Sequence, residues 1–218
     1  MRLYHFIDKR YGLENIRNRR LKVARINELN DPFEFAGVDF GDKDLRDAFG
    51  KMKHEINEQR GLLCFSAKWN NPVMWSHYAD KHKGICLGFD VDDASVGPFS
   101  YSGKRLAVEI EKLKSPRDFP LEYVTKLLFT KYSHWKYENE YRAFVALEEQ
   151  DKATDLYFAD FSEALTLKQV IVGAESSISR RNLSEVLGAE LQCVEQIKAR
   201  LAFRTFSVVR QRNGLLWS

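Results

Sequence analysis

The chain has 218 residues, of which 44% are hydrophobic and 13% aromatic, enough to bury a sizeable core, so it excludes a disordered segment and favours one domain over residues 1–218. With 34 basic and 31 acidic side chains, the charge is too balanced to imply nucleic-acid binding without a local patch. Cys64, Cys86 and Cys193 exclude a disulfide framework or a CxxC zinc site, and the polar N-terminus and lack of a long apolar run leave a cytoplasmic protein, with no membrane span, as the expectation.

Leu3 to Ile7 alternates as a short strand does, and Tyr11 to Arg19 has helical spacing. The basic run from Arg17 to Lys22 suits either a solvated face or contacts with phosphate. Lys22 to Ile26 reads as a strand. Asn30-Asp31-Pro32 has the chemistry of a turn, because Asn and Asp bond their own backbone and Pro fixes φ. That turn does not account for the acid at Glu34. Leu45, Phe49, Met52 and Ile56 recur in helical register, which makes residues 44–59 an amphipathic helix. Residues 62–66 follow as a buried strand.

Pro72, behind Asn70 or Asn71 as a cap, opens a helix carrying Met74, Trp75, His77 and Tyr78. Gly84 then releases the chain into a strand over residues 85–89. Residues 106–110 are strand-like, 121–128 helical, 141–147 and 170–172 strands, 179–187 a capped helix and 202–209 a late strand. Short strands in irregular order, without regular βαβ alternation, give the class α+β, with short mixed or antiparallel sheets and surrounding helices.

No P-loop, GxSxG or HExxH motif is present, and no Cys/His set has metal-ligand spacing. Four segments concentrate aromatic, imidazole and carboxylate groups at element ends, where a fold presents them to a cleft. His5 lies in the first strand and is either a satisfied core residue or a ligand contact. Asn30 and Glu34 flank the turn. Phe65-Ser66 precedes the helix on which Met74 and Tyr78 are neighbours, as either a core anchor or a platform for a flat ring. In the stretch from Trp135 to Arg142, an extended backbone puts Glu138, Glu140 and Arg142 on one face, with the carboxylates about 7 Å apart. A salt-bridged edge strand and an acid/base pair both fit.

Taken together, Leu3-Tyr4-His5-Phe6, Asn30-Asp31-Pro32-Phe33-Glu34, Cys64-Phe65-Ser66, Met74-Trp75-Ser76-His77-Tyr78-Ala79-Asp80, Gly84 to Phe89, Lys131 with Trp135 to Arg142, and Val170-Ile171-Val172-Gly173 resemble the family called domain of unknown function 2971. More distantly, His5, Phe65-Ser66 with Tyr78, and Glu138-Asn139-Glu140 resemble ADP-ribosyltransferases of the His-Tyr-Glu kind. Ile7 stands where those enzymes carry Thr.

That resemblance implies a split-sheet fold, NAD as substrate and no metal. His5 would bond the ribose or carboxamide, and Tyr78 or Trp75 would stack on nicotinamide. Asn30, Phe65, Ser66 and Arg142 complete the cofactor-binding set. Glu140 would stabilise the oxocarbenium ion and Glu138 would orient a ribose hydroxyl or activate the acceptor. The expected role is transfer to a macromolecule, nucleic acid among the candidates, in a toxin or phage-defence setting. A non-catalytic nucleotide or nucleic-acid binding module and a metal-independent nuclease are the alternatives.

Overall fold

The computed structural model describes residues 1–35, 41–105 and 121–217. Strand β1 (Arg2–Ile7) feeds α1 (Lys9–Asn18), whose start is capped by Asp8 accepting from the N–H groups of Arg10 and Tyr11. There follow β2 (Arg20–Val23), α2 (Lys43–Gln59), β3 (Arg60–Ser66), α3 (Pro72–Tyr78), β4 (Ile85–Val91) and the short β5 (Gly97–Pro98) and β6 (Ser100–Ser102). Beyond them come α4 (Leu121–Leu128), β7 (Thr130–Tyr132), β8 (Glu140–Ala146), β9 (Tyr157–Asp160), β10 (Leu165–Val172), α5 (Arg180–Leu187), β11 (Glu195–Leu201) and β12 (Val208–Arg210). The class is α+β with a mixed sheet. Among the described residues no helix is long and apolar enough to cross a membrane.

The chain forms two compact units, one of Met1–Lys22, Cys64–Val96 and Phe158–Ser218, the other of Val23–Leu63 and Gly97–Tyr157. In the first, strands lie in the order β12, β11, β10, β4, β1, β3. The β10–β11 pair is parallel and its neighbours are antiparallel. Strand β4 is central, and residues 85–89 are buried without alternation, as a strand covered on both faces must be. Gly12 lets α1 lie against β4, because a Cβ there would sit 2.4 Å from Ile85 Cδ1. Arg19, left-handed at φ 54°, ends α1 and donates from Nη2 to the carbonyl of Leu187 at the end of α5. Arg20 stacks on Phe158 at 3.7 Å, so part of the basic run is spent on packing. Trp217 returns to this unit, its indole N–H donating to Ile178 O.

In the second unit α2 buries Leu45, Phe49 and Met52, as its periodicity requires. The pair Ala24 and Leu62 forms an antiparallel bridge, β5 pairs β8 antiparallel, and β6 pairs β7 in parallel. Phe35, Phe144, Phe129 and Phe99 contact one another in series.

Four expectations need correction. The strand expected over residues 22–26 ends at Val23, and Ile26–Glu28 is a 3₁₀ turn. The strand expected over residues 170–172 is the end of the longer β10, which begins at Leu165. Of the strand expected over residues 202–209, residues 202–207 are instead a turn between β11 and β12, closed by Ala202 N–H donating to Ser207 O, and only Val208 and Val209 lie in a strand, β12. Glu138 is not in an extended segment: it closes a 3₁₀ helix, Ser133–Glu138, and Asn139 at φ 43° turns the chain into β8. The strand expected over residues 106–110 lies outside the described residues.

Candidate functional site

The sequence-derived candidates fall in both units. In the first unit His5, on β1, is half-buried, with Nδ1 3.0 Å from the carbonyl of Cys64. A carbonyl only accepts, so Nδ1 carries the proton and Nε2 presents its lone pair. Burial holds the imidazole below its ordinary pKa, against the pull of that bond, and keeps this tautomer neutral at pH 7.

Asn71 caps α3 by accepting from Val73 N–H, with Pro72 in the first turn. The helix buries Met74 and Trp75 and leaves Tyr78 half-exposed. Trp75 is fully buried. Its indole N–H donates to Trp69 O, the edge of Phe6 meets it, and the ring of His82 stacks on it at 6.2 Å. Asp80, Lys81 and His82 all have positive φ, a costly run for non-glycine residues, and this turn carries His82 back over Trp75. Of the two proposed stacking residues, then, Trp75 is engaged on core partners and Tyr78 is half-exposed. Phe65 and Ser66 are buried, with Ser66 Oγ donating to Lys68 O.

The second unit holds a buried charge cluster. Glu140 and Arg142 alternate onto the inner face of β8, Lys131 projects from β7, Glu138 from the 3₁₀ turn, and Glu34 from the turn after Asp31. That turn is built by Asp31, whose carboxylate accepts from Phe33 N–H and whose carbonyl accepts from Glu34 N–H. All five charged groups are at most 6% exposed. Arg142 donates from Nε and Nη2 to Oε1 of Glu140, at 3.0 and 2.6 Å, and from Nη1 to Oε1 of Glu34 at 2.6 Å. Lys131 donates to Oε2 of Glu138 at 2.8 Å and to Oε2 of Glu140 at 2.7 Å. Oε2 of Glu34 lies 3.6 Å from that ammonium and makes no hydrogen bond among the described residues. Asn30, by contrast, is exposed.

Burial opposes ionisation of Glu140, but the charges and hydrogen bonds of Arg142 and Lys131 more than offset it and hold the carboxyl below its ordinary range. Burial likewise pulls Lys131 down, and the attraction of Glu140, Glu34 and Glu138 outweighs it and raises the ammonium. Phe99 and Trp135 cover Lys131, and Phe99 also faces the Arg142 guanidinium at 4.5 Å. Tyr101 accepts the Glu140 N–H at 2.8 Å, and burial with the nearby carboxylates pushes its phenol up to about 12.

Lys131 also lines a cavity of about 310 Å³ walled by Phe33, Tyr132, Thr130, Ser102 and Arg105. That is the lower end of the range for small-molecule sites. The guanidinium of Arg105 lies 5.6 Å from the Phe33 ring centroid, so the mouth offers aromatic and cationic groups together.

Sequence reasoning sent the segments holding Glu34 and Glu138 to Arg142 to one cleft and set Lys131 beside the latter within the family resemblance, but it did not foresee that Lys131 bonds Glu138 and Glu140, nor that Glu34 pairs with Arg142 across 108 residues. The unexplained acid after Phe33 was the signal for Glu34. Lys131, in the short Thr130–Tyr132 strand, stood out only as part of the family resemblance, with no local sign of its bonding role.

No curated protein and no solved structure matches the chain. Residues 74–97 match the model of a family described as a protein of unknown function (DUF2971), a stretch that takes in most of α3, the left-handed turn at residues 80–82 and all of β4.

Proposed function

We propose that the chain is an NAD-consuming transferase of the ADP-ribosyltransferase kind, with the corresponding split-sheet fold, acting in the cytoplasm on a macromolecule such as nucleic acid in a toxin or phage-defence role. One observation carries this reading: Glu140 is a buried, ionised carboxylate fixed through both oxygens, and it shares Lys131 with a cavity. A fixed anion in a water-poor site stabilises positive charge without reorganising.

In the reaction the N-glycosidic bond of NAD breaks and its electron pair leaves with nicotinamide, so the pyridinium becomes neutral. The ribosyl C1′ becomes an oxocarbenium ion, the acceptor nucleophile adds to it, and the acceptor's proton passes to a base. Glu140 supplies the electrostatic stabilisation. Glu138 orients a ribose hydroxyl or activates the acceptor, and Oε2 of Glu34 is a further proton acceptor. The resemblance gives His5 and Tyr78 the ribose and the nicotinamide ring.

A second reading, a nucleotide-binding module without turnover, is favoured by the saturation of Glu140, whose two oxygens already receive three donated hydrogen bonds. Incubation with labelled NAD and mixed nucleic acid or cell lysate separates the two. Release of nicotinamide that disappears in Glu140→Gln, with near-ultraviolet circular dichroism unchanged, supports transfer. Thermal stabilisation by NAD or nucleotide with no nicotinamide released means the binding module.

A further inference from the structure

The first unit carries a surface that the chemistry above does not use. Residues 200–212 contain four arginines and no acidic residue. They form the end of β11, the turn and β12. At the turn Phe203 is 90% and Phe206 102% exposed, an unusual state for two large apolar rings three residues apart. The turn itself is held firmly: Ala202 N–H donates to Ser207 O, Thr205 and Ser207 share a hydroxyl hydrogen bond, and Val208 N–H donates to Asn70 O. The rings are therefore presented on a pinned hairpin.

The charges fit the same purpose. Arg200 lies 4.4 Å from the Phe203 ring centroid, and its Nη1 donates to Leu201 O. Arg210 is paired with Glu195. Arg204 and Arg212 have no acidic partner among the described residues and are exposed. At the base of the hairpin, Val208, Val209 and Arg210 join Tyr4, Lys68 and Trp69 around a groove of about 480 Å³. Aromatic faces and unneutralised cations thus run together from the recessed groove to the projecting tip.

We propose that this hairpin and its groove dock single-stranded nucleic acid, with Phe203 and Phe206 stacking on unpaired bases and Arg204 and Arg212 following the phosphates. Unpaired bases expose the ring faces that a duplex hides, and stacking on aromatics beside cations is the general means of holding them. Charge complementarity selects a polyanion over an apolar partner. A bilayer also welcomes aromatic and basic side chains, but its flat surface does not enter a groove lined by Tyr4, Trp69 and Lys68. The proposal names the acceptor class for the transfer reading and in that respect rests on it, but binding is measured without NAD, so the two fail separately.

The test is fluorescence anisotropy of the full chain with labelled single strands of about 20 deoxythymidines or uridines, against a duplex of equal length, over a salt series. Single strands should bind more tightly than duplex. Phe203→Ala with Phe206→Ala should weaken binding by about tenfold or more. Arg204→Ala with Arg212→Ala should reduce the slope of log affinity against log salt by roughly 1.4, because each single-strand phosphate that is no longer neutralised removes about 0.7. All four side chains are exposed, so circular dichroism should not change. Equal affinity in the Phe variant, preference for duplex, or no binding at low salt overturns the proposal. So does finding that vesicles of anionic phospholipid, or a second copy of the chain in sedimentation, bind in a Phe203- and Phe206-dependent way while single strands do not.

Discussion

Lys131 Nζ lies 2.7 Å from Oε2 of Glu140 and 2.8 Å from Oε2 of Glu138, so one buried ammonium joins two carboxylates brought together by different backbone elements. Replacing it with an apolar side chain of similar length removes the ammonium that bonds Glu138 and Glu140 and leaves Glu140 on Arg142 among the described residues. Lys131→Met should therefore cost about 3–5 kcal/mol at pH 7, the range found when one partner of a buried pair is removed. Urea denaturation measures it, and a loss below about 1 kcal/mol would mean that the cluster is solvated in practice.

The same cluster fixes how stability depends on pH. Glu140 titrates in the folded chain below its ordinary value, so its contribution is complete above about 4.3, the unfolded value, and is lost as pH falls through the folded pKa. Lys131 is raised, so its contribution is complete below about 10.4 and is lost as pH rises through the folded pKa. Wild-type stability should show a plateau between these limits. In Lys131→Met Glu140 loses one of the two cations that hold its carboxyl down, so the acid limb should become shallower and the basic limb should disappear. Denaturation midpoints at several pH values test this, and parallel profiles for the two proteins would contradict it.

Residues whose partners are local were legible in the sequence. Asn71 and Pro72 announced α3, and the spacing of Leu45, Phe49 and Met52 announced α2, because capping and amphipathicity are read within a few residues. The Glu34–Arg142 pair spans 108 residues and has no local spacing to betray it. Strand β11 was missed because its inward positions, Ile197 and Ala199, alternate with Gln196, Lys198 and Arg200, and a small Ala weakens the apolar half of the pattern. Glu138 was misplaced because the left-handed Asn139 breaks the alternation that an extended reading assumes.

Two kinds of glycine should respond oppositely to alanine. Gly50 lies in the middle of α2, exposed, with nothing near the position of a Cβ. Gly50→Ala should stabilise the chain by about 0.5–1 kcal/mol through helix propensity and reduced unfolded-state entropy. A Cβ on Gly84 would sit 2.2 Å from Ile7 O, and one on Gly173 2.2 Å from His82 O. Backbone cannot yield as a side chain does, so either substitution should cost about 3 kcal/mol or more. Calorimetric melting of the three variants reads both signs.

Trp75 and Tyr78 face different demands although one turn of α3 joins them. Trp75 is enclosed by Phe6 and His82 and donates to Trp69 O, so Trp75→Ala should cost about 3–5 kcal/mol through the cavity it opens and the packing it removes. Tyr78 is half-exposed, and Tyr78→Ala should cost about 1 kcal/mol or less. If Tyr78 is the group that meets a nicotinamide ring, Tyr78→Ala should weaken NAD binding by roughly tenfold, in keeping with a stacking contribution of about 1–3 kcal/mol, while melting near the wild-type temperature. Isothermal titration with NAD beside the thermal melt separates the two effects. Loss of stability without loss of affinity would make Tyr78 another packing residue and remove it from the site.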